Sequence, residues 1–337
     1  MTERLERALI GALVLAALLA VLAGCSAAGS EPKAELLETG LPLGEPSWAP
    51  DDEALLAVDG EGRCVVRADV GGAEGPEVPV STRKVEDLGG NVVVDPEAPG
   101  RAYVGRPGAG EISALDTHDL RVVGGQEVGG PPYHVTLDGQ AEVIFALSKD
   151  GTTVSSVELG GGEKIPAVRI GAGKEALIKA PEKGLEAAFW VANAAGVSYY
   201  HGDPPRRLVG KEIPATDVAA DKTSGQRIYV ADGERVVALE GDPQGYLEGR
   251  LVDVAERDVG APIEHVASDE LYVFAATEDR LVVMRRETLE TVETVDFGRL
   301  FEREGVRPEG ISGIAVGAED VYVAFEGAPY VLRVKKP

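Results

Sequence analysis

Asp217-Val218-Ala219-Ala220-Asp221, then Ile228-Tyr229-Val230-Ala231, a turn at Asp232-Gly233, and a further run over residues 236–240 decide the fold. Each run is short, rich in β-branched or aromatic residues, and closed by Asp or Gly. That is the pattern of antiparallel strands joined by tight turns. A fourth run, residues 251–260, completes a four-stranded meander.

The same order of events recurs upstream: His134-Val135-Thr136-Leu137-Asp138-Gly139, Val143-Ile144-Phe145-Ala146, a turn at Asp150-Gly151, and runs over 154–159 and 165–171. Downstream it reads His265-Val266-Ala267-Ser268-Asp269, Leu271-Tyr272-Val273-Phe274, then 281–285 and 291–298. The frame also fits Ser47-Trp48-Ala49-Pro50-Asp51 with Leu55-Leu56-Ala57-Val58, and Asn91-Val92-Val93-Val94-Asp95 with Ala102-Tyr103-Val104. A worn copy has Phe189-Trp190-Val191-Ala192-Asn193 as its anchor, and a last one has Gly313-Ile314-Ala315-Val316, Val321-Tyr322-Val323-Ala324 and Tyr330-Val331-Leu332-Arg333. A period of about 43 residues signals a propeller. The expectation is an all-β, seven-bladed β-propeller of four-stranded antiparallel blades over residues 34–337. The last copy stops one strand short, and residues 34–44, with their Leu36-Leu37 pair, supply the missing strand. Pairing them beside Val331 would close the ring and hide two sheet edges.

At the second strand of each blade the chain resembles the YVTN-type β-propeller repeat, through Tyr229-Val230-Ala231-Asp232, Trp190-Val191-Ala192-Asn193 and Tyr322-Val323-Ala324. Ala114-Leu115-Asp116-Thr117 is similar to that family's third-strand ending. The resemblance touches most blades, although no blade carries the whole consensus. It implies the propeller fold and a place on the cell surface, and it brings no shared catalytic residues.

Ahead of the propeller, Arg4 and Arg7 precede an uncharged stretch, 8–23, that ends in Leu22-Ala23-Gly24-Cys25. A basic start, a short apolar run and small residues before a cleavage point make a secretory signal peptide. The ending also resembles the lipobox of bacterial lipoproteins, which implies cleavage before Cys25 and a lipid on its sulfur. Residues 1–24 are thus expected as a lipoprotein signal peptide and 25–33 as a tether. The mature protein is expected on the extracytoplasmic side of the cell membrane, anchored through the lipid on Cys25. An uncleaved membrane span over the same residues would leave the propeller on the same side. Cys64 is then the one cysteine left, so no intramolecular disulfide forms, and its alternating neighbours read as a strand.

Net charge is −24, and the four charges of the leader cancel, so the mature protein carries all of it. Such a balance repels nucleic acid and anionic headgroups, suits the solvated surface of a monomer, and favours cationic over anionic ligands. No zinc-type Cys/His spacing, calcium loop or nucleophile elbow is present, and Gly171-Ala172-Gly173-Lys174-Glu175 lacks both the spacing and the hydroxyl of a phosphate loop. Quinone-cofactor propellers resemble one another through repeated Trp motifs, whereas this chain has only Trp48 and Trp190, so no cofactor is expected.

One constellation carries chemistry. Four residues before the Asp that ends the first strand, the repeat gives Ser47, Asn91, His134, Asp217, His265 and Gly313. First strands are innermost, so these positions ring the central channel. His134, Asp217, His265 and Asn91 are the candidate ligand-binding residues, with imidazoles able to face a cation or an anionic ligand. The function expected is a binding or scaffold module for a protein or small molecule. The alternative is a hydrolase or lyase at the channel mouth: His265 beside Glu264 is similar to the His and Glu of a propeller lyase that opens a macrocyclic lactone, though that family's repeated Trp-Phe-Thr strand signature is missing. The connection 298–310, with Leu300, Phe301 and Val306 among charges, reads as a surface turn of helix, with folding over the same mouth as the alternative.

Overall fold

The computed structural model describes residues 33–337 except 74, 162–165, 182–186, 203, 224–225 and 242–249; the expected signal peptide, 1–24, and Cys25 lie outside the described residues. Ala34–Pro337 makes seven four-stranded antiparallel sheets, each built from consecutive strands except one. In that one, Ala34–Glu38 pairs with Tyr330–Lys335, in a register that sets Leu37 opposite Val331. The ring is closed by its own N-terminus, as the sequence predicts. The closing strand is shorter than the stretch 34–44. After Glu38 the chain turns inward, bridging Leu43 to Asp59, with the Gly44 amide donating to the Val58 carbonyl at 2.8 Å.

The core lies between the blades. Seven apolar clusters are present among the described residues, one for each junction of neighbouring blades. Second strands are therefore buried on both faces: Val143–Leu147 and Ala54–Val58 are buried at every position. In the fifth blade Tyr229 packs toward blade six while Val230 packs toward blade four. Two-sided burial is why these strands read as unbroken apolar runs rather than as alternation. Outer strands such as Val122–Glu127 face water.

The Asp that ends a first strand has a local task. Asp95 accepts the Glu97 and Ala98 amides and the Tyr103 hydroxyl; Asp221 accepts the Thr223 amide and the Tyr229 hydroxyl. One carboxylate thus fixes its turn and locks the aromatic eight residues on, so the two signatures travel together.

Three details differ from the sequence expectation. The outer strand of blade three is only Val168–Arg169, with Ile165 outside the described residues. The inner strand of blade four, which sequence reading left unassigned, is Leu177–Lys179. The connection 298–310 is the expected turn of helix, but it is packed into a blade junction rather than lying on the surface or over the channel. It holds a short helix, Gly298–Glu304, ended by Gly305 at φ 66°. Phe301 of that helix packs edge-on against Phe325 (4.7 Å) and Phe297 (5.6 Å), wedged between blades six and seven. Its apolar residues are drawn into the blade junction because apolar surface is removed from water there, Phe301 most fully.

Candidate ligand site in the central channel

Strand register assigns the innermost ring of side chains. His134, Leu177, Asp217, His265 and Gly313 lie opposite Leu147, Ala192, Ala231, Ala276 and Ala324 of their own second strands. Asn91 precedes Val92, which faces Val104, and takes the same place. In blade one that place belongs to Glu45. Ser47 pairs with Leu56 and sits one pleat further along, because the turn after Ala49 displaces the Asp from which the sequence count began. The ring is therefore Glu45, Asn91, His134, Leu177, Asp217, His265 and Gly313. Blade seven has glycine there because a Cβ would meet Pro46 Cδ at 2.9 Å.

An innermost strand has one edge without a partner strand, and its buried amides and carbonyls must be satisfied some other way. Ring side chains do this. The Asn91 amide donates to the Val135 carbonyl (2.9 Å) and accepts the Val135 N–H (2.8 Å). Asp217 Oδ2 accepts the Val266 N–H at 2.8 Å. Ser47 and Thr136 accept the amides of Val94 and Ala180 in the next blade.

His265 is held on both sides. Its Nδ1 lies 3.1 Å from Asp217 Oδ2 and its Nε2 2.9 Å from the Ile311 carbonyl. Both partners are acceptors, so both ring nitrogens must donate, which only the imidazolium can do. Burial alone would lower the pKa of His265, but the hydrogen bond and charge of Asp217, with the charge of Glu45, raise it above the ordinary 6.5. The Ile311 N–H in turn donates to Glu264 Oε2 at 2.8 Å. Glu264 and His265, paired in the lyase comparison, are thus both engaged by one residue of blade seven.

His134 sits differently. It packs edge-on against Tyr133 at 4.7 Å and fills the space beside Gly90, where a Cβ would come within 2.6 Å of its ring. Burial lowers its pKa; the nearby Glu45 raises it and Lys179 lowers it further, with a net fall, so this histidine is neutral. The two histidines of the ring are thus shifted in opposite directions from the ordinary value.

Two residues that sequence reading missed meet across the axis. Lys179 of blade four forms an ion pair with Glu45 of blade one, three blades away around the ring. Burial opposes the charge on Glu45, but the charge and hydrogen bond of Lys179, helped by His134 and His265, bring its pKa down to about 2. The same cavity continues past Lys179 to Lys222, whose pKa burial and the neighbouring Lys179 lower to about 8 against the opposing charge of Asp269. The channel encloses about 390 Å³, in the size range of small-molecule sites. Its wall includes Trp48, stacked on Tyr322 at 5.4 Å. Among the described residues, no group of three or more His, Cys, Asp or Glu is arranged to hold a metal.

These shifts set a pH profile. His265 has a raised folded pKa, so its stabilising contribution is complete below 6.5 and lost as pH climbs through the folded value. Glu45 has a lowered one, so its contribution is complete above 4.5 and lost as pH falls toward about 2. Denaturant midpoints measured against pH should show the channel's contribution greatest between those limits. His265→Gln should flatten the decline on the alkaline side and leave the acid side in place.

No family model matches the chain, and no curated protein does. Among 1349 matching solved chains is one from the crystal structure of a mitotic checkpoint complex. It superposes with a TM-score of 0.64 at 11% identity, over 90% of this chain and 93% of that one. At that identity the similarity is one of architecture alone, and a fold so widely shared carries no activity with it.

Proposed function

We propose that this chain is an exported lipoprotein, tethered to the extracytoplasmic face of the cell membrane through Cys25, whose propeller binds a small ligand in its central channel. The observation that carries the binding half is the axial cavity: about 390 Å³ of space, walled by inner strands and crossed by the Lys179–Glu45 pair. A propeller holds its blades rigid, so groups brought together on the axis are preorganised at no cost on binding. Support for the anchor is the lipobox-like Leu22-Ala23-Gly24-Cys25 followed by a tether, 25–33, that leads directly into the ring-closing strand at Ala34.

Cys25→Ala should abolish partition into a detergent phase, because acyl chains contribute about 0.8 kcal/mol per buried methylene. A lipid-free protein that normally begins at Cys25 would contradict the anchor. Ala267→Trp, which fills the cavity from blade six, should strip co-purifying small molecules from a folded protein. An unchanged set of bound molecules would contradict the channel.

A further inference from the structure

We infer that the channel takes a neutral, polyhydroxylated molecule of about monosaccharide size; this rests on the channel-binding reading. At about 390 Å³ the cavity is at the small end of ligand sites. Charge along its axis comes in opposed partners. Glu45 is paired with Lys179, and Asp217 with the His265 imidazolium. Lys222, further along the cavity, is faced by the charge of Asp269. A cation on the axis would meet Lys179 and His265, and an anion would meet Glu45 and Asp217. A ligand charge of either sign therefore gains an attractive neighbour and a repulsive one together. The net charge of −24 favours cations at the surface, but the axis itself is balanced.

The ion pairs leave hydrogen-bonding capacity of both kinds unspent. Asp217 keeps only 8% of its side-chain surface. Its Oδ2 accepts the Val266 amide and lies against His265, whereas Oδ1 has no donor among the described residues and opens onto the cavity. Glu45 meets Lys179 through Oε1, which leaves Oε2 as a second acceptor. Ser47 and Thr136 accept the amides of Val94 and Ala180, so each hydroxyl hydrogen remains to donate. Lys179 gives Glu45 one of its three ammonium hydrogens. These atoms come from blades one, three, four and five, so the polar groups are spread around the axis rather than gathered on one wall. A hydroxyl donates and accepts at once, so it matches either kind of atom and can replace water at each. At the same level Val93, Ala219, Ala267 and Ala315 give the small apolar contacts that ring C–H groups need. A ring with hydroxyls around its edge fills these roles without breaking either ion pair.

The test is titration calorimetry of the full-length protein, in a detergent without a sugar headgroup, at neutral pH. The neutral probes are glucose, galactose, mannose and myo-inositol. Each hexose is matched by its 2-amino sugar and its uronic acid, with alanine as a zwitterion and cyclohexanol as a ring with one hydroxyl. At least one neutral polyol should bind, about tenfold or more tighter than its charged forms, alanine or cyclohexanol. Asp217→Asn must keep its amide oxygen for the Val266 N–H, which turns a donor toward the cavity in place of an acceptor. It should weaken the polyol about tenfold or more, as loss of a hydrogen bond to a charged group does. Lys179→Met leaves Glu45 unopposed and should move the preference toward the amino sugar; Glu45→Gln leaves Lys179 unopposed and should move it toward the uronic acid. Cooperative unfolding of each variant in denaturant confirms that it is folded. Charged forms binding the parent as well as the neutral sugar would overturn the inference. So would polyol affinity and preference indifferent to all three variants, or no neutral polyol binding at millimolar concentration. Ala267→Trp separates the two readings. If it blocks a charged sugar, alanine or cyclohexanol while neutral polyols fail, the channel stands and the polyol falls. If it leaves polyol binding intact, the channel itself falls.

Discussion

A protein lacking residues 35–43 should not fold to a stable monomer. The segment supplies the strand register against Tyr330–Lys335, and it buries Leu37 and Leu43 almost completely in the junction of blades seven and one. Emptying one buried leucine site costs about 2–5 kcal/mol, and here two are lost together with a row of backbone pairs. The sum approaches the whole stability of a typical domain, about 5–15 kcal/mol. Two edges are also bared at the seam, which favours pairing between molecules. Insoluble expression, or a denaturant melt without a cooperative transition, is the expected result. Removing only residues 26–33 should change neither. An unshifted midpoint after the longer deletion would mean that the segment is linker and the ring closes without it.

Asp217→Ala should be the most damaging single substitution in the channel. It removes the acceptor of the Val266 amide and the counter-charge of the His265 imidazolium in one step. Breaking a buried pair by deleting one partner costs about 3–5 kcal/mol. His265 keeps 28% of its side-chain surface, so water screens part of the loss and about 2–4 kcal/mol is expected. Asp217→Asn retains an acceptor for the amide and should fall between. The double variant Asp217→Ala/His265→Gln should cost less than the two single changes added, because the stranded charge disappears with the histidine. Denaturant melts of the four proteins give the coupling directly. Additive losses would show that the two side chains do not meet. The Glu45–Lys179 pair is the useful contrast: both side chains keep about a third of their surface exposed, and its removal should cost no more than about 1 kcal/mol.

How far the sequence could be read follows from where each strand is buried. Second strands announce themselves because both faces are covered: Tyr229-Val230-Ala231 and Tyr322-Val323-Ala324 have nowhere to place a polar residue. The inner strand of blade four escaped notice because Leu177–Lys179 is three residues long, and Pro181 stands where other blades place their turn-fixing Asp. Lys179 would otherwise have been visible as the one charge among Val93, Ala219, Ala267 and Ala315. Glu45 was hidden by a register slip of two residues, since Asp51 lies beyond the true end of its strand at Ala49. A slip by two keeps the same face, so the pattern of apolar residues gives no warning of it. His265 and His134 share a repeat position, yet one bridges three blades as a cation and the other packs neutral against Tyr133. That difference lies in neighbours from other blades, Ile311 and Asp217 for one and Gly90 for the other, and no local window contains them.

The charge organised around the channel is most directly tested by the protonation of the two ring histidines, of which His265 lines the cavity and His134 packs against Tyr133. The chain has four histidines, so nitrogen NMR of imidazole-labelled protein, assigned with His265→Gln and His134→Gln, gives a spectrum simple enough to follow with pH. The geometry predicts that His265 keeps protons on both nitrogens beyond 6.5, while His134 loses one below it. Two histidines titrating together near 6.5, as free side chains in water do, would contradict the channel described above.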